Sequence, residues 1–134
     1  MSQRFKTVNP ESVRTPFGAY AHGIQIPENH TLLMTSGQLG ISKDDAIPED
    51  ATSQSKLCFE SIQAILAELG AGMDAIVKVS AFVTDRAHFP EYMAVRDSYL
   101  PYPVCSTLLI VSGFTRPEFK VEVEVIAALP AASA

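Results

Sequence analysis

With 134 residues, the chain is long enough to bury the core of one domain, and its two cysteines are too few for a secreted disulfide scaffold. Apolar residues make up 47% of the chain, as in globular proteins, and no apolar run is long enough to span a bilayer. The net charge of −5 argues against a phosphate backbone as partner, and with no signal-like N-terminus we expect a cytoplasmic protein with reduced thiols.

The first half of the chain predicts a hairpin followed by a long helix. Residues 1–16 show little periodicity and are expected to form an N-terminal extension. Two apolar runs, 20–26 and 31–36, flank the turn sequence PENH, so we expect them to pair as a β-hairpin. Apolar side chains then recur from Cys58 to Leu69 with the spacing of one helical face, which places Cys58 in the core. Glycines at 70 and 72 are expected to end this helix.

The second half predicts a strand, a shorter helix and two more strands. Residues 75–83 alternate, and one face is predicted to carry Val77, Val79, Ala81 and Val83. The helix is expected from about Pro90 to about Tyr99, and the strands over 104–111 and 120–129. Residues 130–134 are expected to form a flexible tail. The order predicts a single α+β domain over residues 1–134, in which two helices pack on one face of a mixed sheet.

The last strand, KVEVEVIA, has one face of valines and one of charged residues. The valines belong under the helices, whereas Glu122 and Glu124 face the other side. Neighbouring strands are expected to add large apolar groups to that charged face: Ile24, Phe82, Leu109 and Val111. A face that mixes carboxylates with large apolar groups is better explained as a subunit interface with a polar cleft than as open surface. We therefore expect an oligomer.

Motifs for phosphate, metal or serine chemistry are missing from the sequence. No glycine-rich turn is followed by Lys and Ser or Thr, and no G-x-S-x-G elbow occurs. The three histidines, at 22, 30 and 88, are scattered and lack the spacing of a zinc site. We expect no metal site.

Six segments resemble, in order and spacing, the RidA/YjgF group of imine and enamine deaminases, over about residues 17–129. They are FGAYAHG, TSGQLG, ELGAG, VKVSAFVTD, PVCST and KVEVEVIA. The resemblance implies a homotrimer of chorismate-mutase-like domains with three clefts between subunits. It also implies hydrolysis of reactive 2-imino or 2-enamino acids to keto acids and ammonia, without a metal or an organic cofactor.

The resemblance also implies the site residues. Tyr20 matches a tyrosine that lines the cleft. Ser36, Gly37 and Gln38 match a turn whose backbone runs close to the ligand. Glu122 matches a glutamate that holds the hydrolytic water. A carboxylate in a partly dry cleft has a raised pKa and can pass a proton near neutrality.

Three positions depart from the pattern of the group. Cys105 stands where its deaminases carry an arginine for the substrate carboxylate, Met93 where they have an asparagine, and Thr107 where many have a cysteine. Losing one partner of a desolvated charge pair costs about 2–5 kcal/mol, so the usual substrate does not follow. Cys105 is either a small filler or a polar or nucleophilic group of the cleft. Arg96 shares a helical stripe with Met93 and either covers apolar surface or returns a positive charge near the cleft.

These observations predict a small trimeric hydrolase for an imine, an enamine or a related carbonyl derivative. Glu122 is the predicted water-activating group and Cys105 the second catalytic candidate. The predicted ligand-binding residues are Tyr20, Ser36, Gly37, Gln38 and Thr107. The alternative is a non-catalytic trimer that binds a small metabolite or acts as a chaperone.

Overall fold

Both predicted helices are present, and they pack together on one face of a mixed sheet. The computed structural model describes residues 5–131. Its helices are α1 (Ala51–Glu68) and α2 (Phe89–Tyr99). Its strands are β1 (Lys6–Val8), β2 (Gly23–Gln25), β3 (His30–Met34), β4 (Gln38–Leu39), β5 (Ile76–Val83), β6 (Cys105–Ile110) and β7 (Val121–Pro130). The predicted α+β fold class is confirmed.

The main sheet has the strand order β3-β7-β5-β6, and the short β4 also pairs with β7. Strands β5 and β6 are parallel because α2 carries the chain back over the sheet between them, and the other pairings are antiparallel. The valines of β7 lie in the core beneath α1 and α2, as predicted. The opposite face of the sheet, called the open face below, carries Leu32, Met34, Lys78, Ser80, Phe82, Cys105, Thr107, Leu109, Glu122, Glu124 and Ile126.

The predicted hairpin across PENH is wrong. Strand β2 pairs with β1, and β3 pairs with β7 in the main sheet. An isolated hairpin would leave its apolar side chains in water, whereas beside β7 the side chain of Leu33 packs against the core. The β1–β2 pair covers one end of the open face, where Phe5 and Ile24 pack with Ala128.

Val77 was predicted to lie with Val79, Ala81 and Val83, but it faces the other way. The register of β5 against β7 shifts between Ile76 and Lys78, which is a β-bulge. The extra residue turns Val77 to the open face, where it packs with Phe5 and Ala128. The three later residues lie in the core as predicted.

Helix α1 begins seven residues before Cys58, at a cap that the sequence also explains. The side chain of Asp50 accepts a hydrogen bond from Ser53 N at 2.8 Å, which satisfies a free amide of the first turn. The helix ends as predicted, because Gly70 takes a left-handed φ of 71° directly after the cap residue Leu69.

The side chain of Gln54 joins the start of α1 to the chain just before β7. Its Nε2 donates to Pro48 O at 2.8 Å and to Glu118 O at 2.9 Å, and its Oε1 accepts from Lys120 N at 2.8 Å. The amide is fully buried, so these bonds satisfy backbone groups that water does not reach. They fix the chain at Lys120, directly before β7 begins and two residues before Glu122.

The ends of the chain are described only in part. In the predicted N-terminal extension, residues 6–8 form β1. In the predicted tail, Pro130 ends β7 and Ala131 N donates to Asn29 O at 2.7 Å, whereas residues 132–134 lie outside the described part. Within residues 5–131 no helix is long and apolar enough to cross a membrane.

Candidate active site

The carboxyl group of Glu122 lies against the main chain of Gly37. Glu122 pairs with Leu39 of β4 on one side and with Phe82 of β5 on the other. This register brings the turn before β4 onto the Glu122 side chain. A Cβ added to Gly37 would lie 2.5 Å from Glu122 Cδ and 2.6 Å from its Oε2, closer than atoms can pack. Position 37 therefore needs glycine because a larger side chain has no space. Its backbone conformation does not require glycine, because its φ is not in the left-handed region.

The surroundings of Glu122 favour its protonated form. Partial burial raises the pKa of this carboxyl, and the negative charge of Glu124 raises it further. A carboxyl with a raised pKa keeps its proton to a higher pH than an ordinary glutamate does. The role of Glu122 as a water-activating group stays a prediction.

The two neighbours of Gly37 differ in their contacts. Gln38 lies in β4 and is half-buried, and its Nε2 donates to Ser36 O at 3.0 Å. The residue Ser36 is exposed. Ser36, Gly37, Gln38 and Glu122 form one group of predicted site residues, called the glutamate cluster below.

A second group of predicted residues lies where β6 begins. Cys105 and Thr107 are half-buried on the open face, opposite Lys78 and Ser80 of the parallel neighbour β5. Lys78 Nζ donates to Thr107 Oγ1 at 2.8 Å. Sequence reasoning missed Lys78 as a site residue, although the alternation of β5 had placed it on this face. Its contact with Thr107 depends on the parallel register, which the sequence does not specify.

Tyr20 joins the second group through the backbone. It forms an isolated bridge with Val104, and Ala21 N donates to Val104 O at 3.0 Å. Its hydroxyl accepts a hydrogen bond from Phe17 N at 3.2 Å, which folds residues 17–20 over the start of β6. Lys78, Cys105 and Thr107, on the open face, are called the β6 cluster below. Tyr20 borders this cluster from the helix side of the sheet, because it pairs in parallel with the core residue Val104.

The two clusters lie apart within one chain. Cys105 is level with Lys78 on β5 and Ile126 on β7, whereas Glu122 is four residues farther along β7. With about 3.4 Å per residue along a strand and about 4.8 Å between strands, Cys105 and Glu122 are separated by roughly 16 Å. A single chain does not bring Glu122 to Tyr20 or Cys105.

The remaining chemistry-bearing residues lie outside both clusters. Cys58 is fully buried on α1, as predicted, and burial raises the pKa of its thiol to about 12. His22 Nε2 is within hydrogen-bond distance of Arg14 O, and the His22 ring packs edge-on against Tyr20. Within residues 5–131 no three His, Cys, Asp or Glu side chains are close enough to hold a metal ion.

Comparisons with known proteins agree with the fold. The profile of the family described as Endoribonuclease L-PSP matches residues 11–129. The RutC family protein YjgH of Escherichia coli is 35% identical over 101 residues, which cover 74% of this chain and 76% of that protein. The 2-iminobutanoate/2-iminopropanoate deaminase of Salmonella typhimurium is 27% identical over 128 residues, covering 91% and 96%. The crystal structure of YyfB, a Rid family protein of unknown function from Yersinia pestis, superposes with a TM-score of 0.79 at 18% identity and covers 93% of this chain and 98% of that one.

Proposed function

Because this chain belongs to the RidA/YjgF family, described as Endoribonuclease L-PSP, we propose that it is a cytoplasmic homotrimeric hydrolase that deaminates a small 2-imino or 2-enamino acid. A relative named as a 2-iminobutanoate/2-iminopropanoate deaminase supports imine deamination at the level of the family. The observation that carries the proposal for this chain is the partly buried Glu122 carboxyl, with its raised pKa, against the main chain of Gly37.

Glu122 is the general base and acid of the proposed reaction. The imine nitrogen takes a proton from solvent, and the Glu122 carboxylate takes a proton from water while the water oxygen forms a bond to the imine carbon, which gives a carbinolamine. The Glu122 carboxyl then gives its proton to the amino group of the carbinolamine. As the carbon–nitrogen bond breaks and ammonia leaves, the hydroxyl becomes the keto group and returns a proton through the Glu122 carboxylate to solvent. The products are the 2-keto acid and ammonia. An enamine enters the same sequence after a proton is added to its carbon.

The separation of the two clusters supports an assembly in which two copies complete each site. Glu122 lies roughly 16 Å from Cys105 in one chain, too far for both to contact one small substrate. A second copy packed on the open face can place its glutamate cluster beside the β6 cluster of the first. The resemblance to the family implies three copies and therefore three such sites.

Exposed apolar side chains on the open face support the same assembly. Leu32, Met34 and Leu109 are each at least half exposed, although they lie on a sheet. A large apolar patch of this kind marks an interaction surface more often than open surface. The proposed trimer covers these side chains and partly dehydrates Glu122.

The remaining predicted residues position the ligand. Tyr20 and the main chain of Gly37 hold the substrate from the two sides of the cleft, with Ser36, Gln38 and Thr107 around it. Cys105 sets specificity, because it stands where the resemblance places a carboxylate-binding arginine. The acidic charge of the chain supports a small-molecule substrate over RNA, despite the family description.

The decisive experiment compares two substitutions on one face of β7. The assay generates 2-iminobutanoate from an amino acid with an oxidase or a dehydratase and follows its hydrolysis. Glu122→Gln is expected to abolish turnover with the fold intact, whereas the control Glu124→Gln keeps most of it. Equal loss in both would contradict the role of Glu122. A wild-type protein that binds 2-oxobutanoate but does not hydrolyse the imine would favour the non-catalytic alternative.

A further inference from the structure

A cavity lies between α2, the start of β6 and the segment 17–20. Its volume is about 370 Å³, within the range of small-ligand sites. Its apolar wall consists of Phe17, Met93 and Leu108, and its polar groups come from Tyr20, Arg96 and Ser106. Ser106 and Leu108 reach it because alternate residues of β6 face α2, whereas Cys105 and Thr107 face the open side.

Among residues 5–131, Arg96 is the only charged residue in the lining of this cavity. The side chain is 2% exposed, although arginine is almost never fully buried without being fully paired. Its Nη1 donates to Asp97 Oδ1 at 3.0 Å, and Asp97 is itself 59% exposed. Its buried Nε has no hydrogen-bond partner among the described residues. A buried cation with an unused donor is costly, which indicates a site that an acceptor completes.

The charge of the cavity is opposite to that of the chain. The protein carries a net charge of −5, but the part of the lining that the structure describes holds one guanidinium and no acidic side chain. Two hydroxyls, from Tyr20 and Ser106, are the other side-chain polar groups. A single cation with hydroxyls and apolar walls is the chemistry that recognises a small organic acid by its carboxylate.

We propose that this cavity binds the carboxylate of the substrate and that Arg96 is its cationic partner, an inference that rests on the proposed function for the identity of the ligand. Arg96 thereby supplies the charge that the resemblance leads one to expect at Cys105. The two positions approach the same edge of the sheet from opposite faces. Strand β6 lies at the edge of the sheet, and among the described residues its outer side is covered only by the bridge between Tyr20 and Val104. A ligand held at Arg96 can therefore extend past this edge.

The size and the walls of the cavity narrow the substrate class. Met93 and Leu108 offer apolar contacts and no charge, so the ligand next to its carboxylate carries a short apolar side chain. A second carboxylate or an ammonium group would be buried without a partner there. The cavity therefore suits a ligand with one carboxylate and a short apolar side chain.

The test measures binding of two probes that differ in charge alone, 2-oxobutanoate and its neutral amide. We expect the wild-type protein to bind the carboxylate at least tenfold more tightly than the amide. Arg96→Gln is expected to weaken carboxylate binding by about 30-fold or more and to change amide binding little. Arg96→Lys keeps the charge but not the planar fork of donors. Its affinity for the carboxylate is expected to lie between that of the wild-type protein and that of Arg96→Gln. The matched control Arg116→Gln, in an exposed ion pair with Glu118, is expected to change neither.

Further variants keep the inference testable if Arg96→Gln does not fold. Ser106→Leu fills the cavity while residue 96 stays an arginine, and it is expected to abolish binding of both probes. Cys105→Arg in the Arg96→Lys background is expected to recover carboxylate binding, since it returns a guanidinium to the same edge. Equal binding of the two probes by the wild-type protein, or unchanged binding by Ser106→Leu, would overturn the inference.

Turnover of 2-iminobutanoate separates this inference from the proposed function. Binding that depends on Arg96 without any turnover in the wild-type protein would support the cavity and contradict the deaminase. Turnover that Arg96→Lys and Ser106→Leu leave unchanged would support the deaminase and overturn the cavity. For a role in binding, the loss in Arg96→Lys is expected mainly in KM.

Discussion

Gly37 and Glu122 are in contact across the β4–β7 pair, and the contact exists only because position 37 has no side chain. An added Cβ would come within 2.6 Å of Glu122 Oε2 and 2.8 Å of its Cγ. The atoms that would have to move belong to a side chain and not to the backbone. A substitution at position 37 is therefore expected to move the carboxyl group and to spare the fold.

Gly37→Ala is the first prediction. We expect turnover of 2-iminobutanoate to fall by roughly 100-fold, because displacing a catalytic group by about 1 Å has an effect of this size. The free energy of unfolding is expected to change by less than about 1 kcal/mol. Gly113→Ala is the control, since a Cβ there meets nothing within 4 Å. A large loss of stability in Gly37→Ala would mean that the contact is structural.

The pH dependence of stability tests the environment of Glu122 without an activity assay. The pKa of this carboxyl is raised above its ordinary value of 4.5 in the folded chain. At lower pH the carboxyl is protonated in both the folded and the unfolded chain and does not change the free energy of unfolding. As the pH rises through the pKa of the folded chain, the carboxyl must ionise in a partly buried place, so the folded chain loses stability. Glu122→Gln removes this loss, so its stability relative to the wild-type protein is expected to increase from about pH 4 to about pH 8. Urea unfolding at the two pH values measures the difference, and a gap that narrows with rising pH would contradict the assignment.

The trimer is tested by placing a charge on the open face. Leu109 on β6 is 50% exposed, and Leu69 at the end of α1 is 58% exposed, so the two leucines are matched in exposure but not in location. Leu109→Glu is expected to disrupt the assembly, because a carboxylate would be buried without a partner in an apolar interface. Leu69→Glu is expected to leave it intact. Light scattering is expected to give three times the mass of one chain for the wild-type protein, and a stable monomer at micromolar concentration would refute the proposed cleft.

Helix α1 could be predicted from the sequence because its apolar period is local information. The spacing from Cys58 to Leu69 specifies a buried face whatever α1 packs against. Alternation in KVEVEVIA likewise placed Glu122 on the face opposite the helices. In both cases the pattern within a single element is enough to predict which of its faces is buried.

Strand partners could not be predicted because alternation identifies a strand but not its neighbour. The runs on either side of PENH were expected to pair with each other, yet β2 pairs with β1 and β3 with β7. The bulge that turns Val77 to the open face leaves no sign in the sequence around it. Register sets the contact of Lys78 with Thr107 as well, so this part of the β6 cluster was visible only in three dimensions.

Arg96 shows the same limit for a side chain. Its helical stripe left open whether it covers apolar surface or lies near the cleft. The structure buries it beside the cavity with its Nε unpaired, which no helical projection could show. The cavity beside Arg96 is closed by the segment 17–20, which lies 76 residues or more away in the sequence. The bridge between Tyr20 and Val104 brings this segment to the edge of the sheet.

The last prediction concerns the two thiols. Cys58 is fully buried with a pKa raised to about 12, whereas Cys105 is half-buried on the open face, so iodoacetamide is expected to alkylate Cys105 alone in the folded protein. Alkylation is expected to abolish ligand binding and turnover, because it places a bulky group in the proposed cleft. Cys105→Ser is expected to keep most of the activity and to resist the reagent, since hydrolysis through Glu122 needs no covalent intermediate. Mass spectrometry of the labelled peptides, alongside the 2-iminobutanoate assay, checks both expectations. Loss of activity in Cys105→Ser as well would indicate a nucleophilic thiol, and full activity after alkylation would show that Cys105 is a filler outside the cleft.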